Sequence, residues 1–134
     1  MVTGGVTMFN DVAFSGYSVH DQEVAREFYE DVLGLVIDES QMGLELRFES
    51  GQSVFLYPKA DHEPATFTVL NFPVDDIDDA VALLSGRGVE FERYDNLPAE
   101  QDENNILRGK MNGQGPDIAW FKDPSDNVLA VLEN

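Results

Sequence analysis

His20 and His62 are the two imidazoles of the chain, and no cysteine accompanies them. Thiol catalysis, disulfides and cysteine-ligated metal are therefore excluded. His20 falls at a strand-to-helix junction beside Asp21 and reads as the exposed neighbour of a helix cap. His62 lies in the stretch KADHEP between Asp61 and Glu63; adjacent loop residues rarely converge on one ion, so this stretch reads as a solvated linker. Glu45, Glu49, Asp102 and Glu103 are candidate general bases by type, but a base also needs reach and a tuned pKa. There is no Ser-His-Asp ordering, no phosphate-cradling Gly-rich loop behind a strand and no zinc-ligand spacing. No catalytic residue is assigned.

The acids are the dominant chemical feature. Twenty-six Asp and Glu face eight Lys and Arg, a formal net charge of −18. Such a chain repels phosphate backbones and anionic membrane surfaces, so nucleic-acid and membrane partners are excluded. Its field attracts cationic ligands. The acids are scattered over helix faces and loops, which equally suits a solubilising surface. No run approaches about 18 apolar residues, so no membrane span is expected. The start MVTGGVTMFND lacks the basic region and apolar run of a signal peptide, and a cytoplasmic protein is expected.

Two helices must position whatever site exists. Over Asp21–Leu33, Ala25, Phe28, Tyr29 and Val32 share one face; over Asp76–Arg87, Ile77, Ala80, Val81 and Leu84 repeat the pattern. Asp21, and Asp75 or Asp76, are the N-caps; Gly34, and Gly86 or Gly88, end the helices. Strand-like runs precede and follow each helix: Val12–Val19, Leu35–Asp38, Leu44–Phe48 and Ser53–Tyr57, then Phe67–Val74, Val89–Arg93, Asp117–Phe121 and Val128–Leu132. This is a duplicated strand–helix–three-strand unit in a single domain spanning 1–134, module one about 10–60 and module two about 66–134. Val19-His20-Asp21 matches Val74-Asp75-Asp76, and SVFLYP matches NVLAVL. The polar segment Tyr94–Pro116 in the second unit reads as a flap or as a solvated loop.

The stretches AREFYEDVLGL, FPVDDIDDAVALLSGRGVEF and WFKDPSDNVLAVLE, in this order and spacing, resemble the vicinal oxygen chelate superfamily, which includes glyoxalase I, bleomycin-resistance proteins and extradiol dioxygenases. PATFTVLNFPVDD resembles a bacterial subgroup of it. The resemblance covers Phe14 to Leu132 and implies an α+β fold: two tandem βαβββ modules forming curved mixed sheets around a cup. In metal-dependent members, the resemblance implies, His or Glu at four strand positions hold a divalent ion. Here those positions are Phe14, Leu56, Val69 and Ala130, all apolar, so neither metal nor cofactor is expected.

Strand alternation then assigns the cup. Phe14, Gly16, Ser18, Val54, Leu56, Val69, Asn71, Val128, Ala130 and Leu132 face into it, with Trp120 on a bordering strand. Tyr17, Val19, Phe55, Tyr57, Leu70, Phe72, Leu129 and Val131 face the helices. A mainly apolar cup with few polar groups suits a small organic molecule. Three functions stay open: a metal-free, bleomycin-resistance-like binder of a cationic or aromatic compound; a metal-dependent lyase, isomerase or dioxygenase of the glyoxalase type; and a non-catalytic dimeric interaction protein. The resemblance implies a homodimer under each.

Overall fold

Asp21 and Asp76 open the two helices by one device. Asp21 Oδ1 accepts the Val24 N–H at 3.1 Å, and Asp76 Oδ1 accepts the Asp79 N–H at 3.0 Å. Each capping oxygen satisfies a donor that has no partner inside its own helix. The structure, a computed structural model, describes residues 8–134. Helix α1 spans Gln22–Glu27 and widens into a π-helical turn over Phe28–Val32, while α2 spans Ile77–Gly86.

The strands are β1 Ser15–Val19, β2 Val36–Ser40, β3 Gly43–Arg47, β4 Ser53–Pro58, β5 Thr68–Pro73, β6 Leu107–Arg108, β7 Asp117–Lys122 and β8 Val128–Glu133. They form two four-stranded mixed sheets, ordered β1-β4-β3-β2 and β5-β8-β7-β6. In each sheet the first strand pairs parallel to the fourth, and the other pairings are antiparallel. The same order twice is the duplication seen in sequence. One expected strand is corrected: around Val89–Arg93 only Phe91 forms a bridge, to Phe121. The edge is taken instead by Leu107–Arg108, which pairs antiparallel with β7, Leu107 opposite Ile118 and Arg108 opposite Asp117.

One core joins the modules. Val19, Ala25, Tyr29, Leu44, Leu46 and Leu56 belong to a single buried cluster with Ile77, Val81, Phe121, Leu129 and Val131. Phe28 meets Phe121 at a centroid distance of 6.5 Å, and Arg87 at the end of α2 donates to the Val32 carbonyl at 2.8 Å. The helical faces of both modules thus pack into one another, which leaves the opposite sheet faces open.

A buried polar clamp fixes how the modules meet. The turn between β7 and β8 presents Asp123, 3% exposed, to Tyr29, which is fully buried. Tyr29 donates to Asp123 Oδ2 at 2.7 Å, so the Tyr17 hydroxyl donates to Tyr29, at 2.8 Å. Asp123 also accepts the Ser125 and Asn127 N–H groups and the Asn127 amide at 2.8–2.9 Å. The same Asn127 amide donates to the Ser18 carbonyl, 2.9 Å away in the other module. Four donors on one carboxylate offset the loss of water that burial imposes.

Replacing Asp123 with Ala is expected to cost about 2–4 kcal/mol, read as a lower urea midpoint. Tyr29→Phe should cost about 1–2 kcal/mol. Burial holds both Tyr17 and Tyr29 well above the ordinary phenol value of 10.0. The folded chain therefore keeps protons that the unfolded chain releases, and stability present below about pH 10 is lost as pH rises beyond it. Tyr29→Phe should make that decline shallower. A wild-type midpoint that stays level to about pH 11 would contradict this linkage.

Candidate functional site

The register of β4 decides which side chains reach the open face. Tyr17 pairs with Leu56, and Phe72 pairs with Val131, so Leu56 is the counterpart of Val131 rather than of Ala130. The counterpart of Ala130 is Phe55, opposite Gly16 as Ala130 is opposite Asn71. SVFLYP thus matches VLAVLE, one residue beyond the match expected from sequence. Leu56 and Val54 pack with Leu44 and Leu46 in the core, and Phe55 and Tyr57 take the open face, their rings stacked at 6.2 Å. The physical reason is that both phases of β4 are apolar, so hydrophobicity alone could not choose between them. The glycine at 43 serves this face: a Cβ there would meet Leu56 O at 2.2 Å and the Phe55 ring at 2.8 Å.

In the second sheet the expected phase holds on one side of a bulge. Thr68 pairs with Val128 and Leu70 with Leu129, so Val69 is an extra residue on its strand. Beyond it Asn71, Ala130 and Trp120 form one row across the open face, since Ala130 is opposite both neighbours. Ala130 is fully buried and Asn71 is exposed. Thr68, which sequence reasoning did not single out, accepts the Trp120 indole hydrogen at 3.1 Å.

Two cavities flank this row. A cleft of about 600 Å³ between the modules is lined by Phe14, Phe48, Val54, Val69, Asn71 and Phe72 among others. A smaller cavity of about 200 Å³ is lined by Phe67, Thr68, Tyr94, Trp120 and Val128 among others. The Tyr94 and Trp120 rings meet edge to face at 5.5 Å. The cleft thus brings together Phe14, Val69 and Asn71, with buried Val54 reaching it only from the core face, and the smaller cavity brings together Trp120 and Val128. Gly16 and Ser18 lie on the open face of the first sheet outside both, and Leu56 is in the core.

Ser18 is engaged elsewhere. Its hydroxyl lies 2.6 Å from His62 Nδ1, and His62 Nε2 lies 2.8 Å from the Ser125 carbonyl. A carbonyl only accepts, so Nε2 carries the hydrogen and, in the neutral ring, Nδ1 accepts from Ser18. His62 is therefore a half-buried strut between linker and clamp rather than a solvated linker residue. His20 is exposed as expected, and its backbone N–H donates to Ser125 Oγ at 2.8 Å.

The segment between Tyr94 and Pro116 is tied down. Buried Gln101 accepts from the Tyr94 N–H at 2.7 Å and donates to the carbonyls of Glu92 and Asn105. Ile106 and Leu107 are buried. Arg108 reaches Asp78 at 2.6 Å and Asp102 at 3.0 Å, and its guanidinium holds the Asp78 carboxyl below the usual range. Of the four acids considered as bases, Asp102 is thus committed to Arg108, and Glu45 lies 3.4 Å from Arg47.

A divalent ion does not fit the four strand positions. Phe14, Val69 and Ala130 offer no lone pair, and neither does Phe55 in place of Leu56. Among the described residues no group of three or more His, Cys, Asp and Glu could hold a metal.

A family model described as the glyoxalase/bleomycin resistance protein/dioxygenase superfamily matches residues 12–131. A search of curated proteins finds no match. Among solved structures, a glyoxalase/bleomycin resistance protein from Streptomyces sp. CB03234 is 25% identical, with 90% of this chain and 99% of that one covered and a TM-score of 0.57. A superfamily member from Sphaerobacter thermophilus is 24% identical, covering 96% and 100%, with a TM-score of 0.67. TnmS3, an antibiotic binding protein from Streptomyces sp. CB03234, is 23% identical, covering 96% and 98%, with a TM-score of 0.65.

Arg108→Ala is expected to loosen the tied segment while leaving the sheets intact. Amide exchange should accelerate over residues 101–109 and remain slow in β7 and β8, with a stability loss of about 1–2 kcal/mol. Unchanged protection there would show that Gln101 and Ile106 alone anchor it.

Proposed function

The chain belongs to the glyoxalase/bleomycin resistance protein/dioxygenase superfamily, and from that membership we propose that it is a metal-free binder of a small organic ligand, aromatic and cationic in character. The observation that carries this reading is the chemistry of the four strand positions: Phe14, Phe55, Val69 and Ala130 have no ligating atom. The ligand occupies the cleft beside Asn71, with the smaller cavity beside Trp120 at the other end of a row whose centre, Ala130, is buried. Asn71 makes no side-chain hydrogen bond among the described residues, so its amide is free to orient a polar group of the ligand. Trp120 and Tyr94 supply aromatic faces and edges for a flat cation. The net charge of −18 raises the local concentration of such a cation. An antibiotic-binding protein on the same fold, TnmS3, is a precedent for this use of the fold.

Homodimerisation is part of the proposal. Phe9, Val12, Phe14 and Phe67 are each more than two-thirds exposed or close to it, at 75%, 76%, 66% and 68%. Apolar side chains grouped ahead of β1 and β5 suit cover by a second copy. The same surface favours a non-catalytic dimeric interaction protein as the second reading, in which the cleft would be filled by the partner. A cytoplasmic setting fits the absence of cysteine and completes the proposal.

Chelator-treated protein should show no thermal shift with Ni²⁺, Mn²⁺, Zn²⁺ or Fe²⁺. A clear shift with stoichiometric metal would sink the metal-free reading and restore the lyase or dioxygenase alternative. Cationic aromatic compounds, bleomycin-like antibiotics included, should quench the fluorescence of Trp120, the sole tryptophan. Asn71→Ala should weaken that binding about tenfold without changing the melting temperature. A dimer by light scattering with no quenching by any compound would favour the interaction protein.

A further inference from the structure

A third cavity lies on the helical side of the molecule, away from the open sheet faces. It measures about 350 Å³ and is walled by Leu33, Phe48, Phe72, Leu84, Phe121 and Val131 among others. Every lining residue is apolar except Arg87. Phe48 and Phe72, 6.3 Å apart, also line the larger cleft together with Pro73, so these three residues form the wall between the two spaces. The walls come from both modules and from the ends of both helices.

Arg87 is unusual in this chain. Of the eight basic side chains, six lie within 4.0 Å of a carboxylate: Arg26, Arg47, Lys59, Arg108, Lys110 and Lys122. Arg93 gives its guanidinium to the carbonyls of Gln101 and Asp102. Arg87 uses one nitrogen on the Val32 carbonyl and has no other hydrogen bond among the described residues. Residues 1–7, MVTGGVT, hold no carboxylate side chain that could serve it. A guanidinium has five N–H donors, and the bond to Val32 tethers the group without exhausting it. Arg87 is exposed at the rim of the cavity, and although the chain carries 26 acids no carboxylate among the described residues lies within 4.0 Å of it, which leaves its solvent-facing donors available to an anion brought from outside.

We propose that this cavity binds an amphipathic organic carboxylate, with its hydrocarbon tail among the inter-module apolar walls and its carboxylate paired with Arg87. The apolar walls supply affinity in proportion to tail length. The guanidinium supplies orientation, because a planar fork matches a carboxylate. The overall negative charge opposes an anion at long range, but that repulsion is screened beyond about 8 Å at physiological salt, whereas contact with Arg87 is not. The site is distinct from the cleft beside Asn71, and the ligand class is of opposite charge.

The test is titration of the full chain with octanoate, decanoate and decylammonium below their micelle concentrations, followed by methyl NMR. Decanoate should shift the methyls of Leu33, Leu84 and Val131 and leave Trp120 fluorescence unchanged. Decanoate should bind more tightly than octanoate, by about fourfold for each added methylene. Arg87→Gln should weaken decanoate about tenfold or more, and Arg87→Lys should retain part of the affinity. If Arg87→Gln does not fold, Leu83→Glu places a carboxylate at the exposed wall and should abolish binding by repulsion. The proposal is overturned by no binding of either alkanoate, by equal binding of decylammonium, by unchanged affinity in Arg87→Gln, or by shifts centred on Val54 and Val69 instead. Those last residues belong to the cleft, so failure here and failure of the cleft reading give different spectra.

Discussion

Asp123 is the constraint on which the arrangement of the two modules rests. It is a buried carboxylate that, among the described residues, has no salt-bridge partner and is held by four hydrogen-bond donors. A charge in that position is costly unless every lone pair is used. The donors come from its own turn and from Tyr29 of the other module, 94 residues away. Asn127 and His62 extend the same network to Ser18 and Ser125, so the end of β1, the linker and the β7–β8 turn are one hydrogen-bonded body. That body holds the far end of β1, and the cleft opens at its near end, beside Phe14 and Ser15.

The sheet faces divide the labour between modules. One face of each sheet packs on the helices into a common core, and the other is left to the solvent or a ligand. On the open faces the two modules are not alike. The first presents Gly16, Ser18, Phe55 and Tyr57; the second presents Thr68, Asn71, Trp120 and Ala130. The bulge at Val69 adds a further difference, since it places one extra residue near the start of β5 that β1 lacks. A duplicated fold thereby yields one aromatic, polar-edged surface rather than two equivalent ones.

Electrostatics follow the same division. Surface pairs such as Arg26 with Glu23 and Arg47 with Asp38 are exposed, and each contributes little. Arg108 does more, because its contacts with Asp78, Asp102 and Asp117 join α2 to the long segment and to β7. The remaining acids set a negative field that bears on solubility and on the approach of charged molecules, not on which fold forms.

The duplicated architecture was legible in the sequence, because helical and strand periodicities and the two Asp caps are local signals. The caps at Asp21 and Asp76, the two helices and the repeat of a strand–helix–strands unit all follow from residue type and spacing. The phase of β4 was not legible, since Val54, Phe55, Leu56 and Tyr57 are apolar or aromatic on both faces and only pairing with β1 and β3 chooses between them. Nor was the role of His62, which depends on a serine 44 residues away and on a carbonyl 63 residues away. The same holds for β6, whose two residues carry too short a pattern to read and are selected by the edge of β7. Sequence by itself determined the elements and the chemistry available at each position, because these depend on neighbours a few residues apart. Only the tertiary structure decided which of those positions share a face, a cavity or a hydrogen bond, because that depends on contacts between residues far apart in the chain.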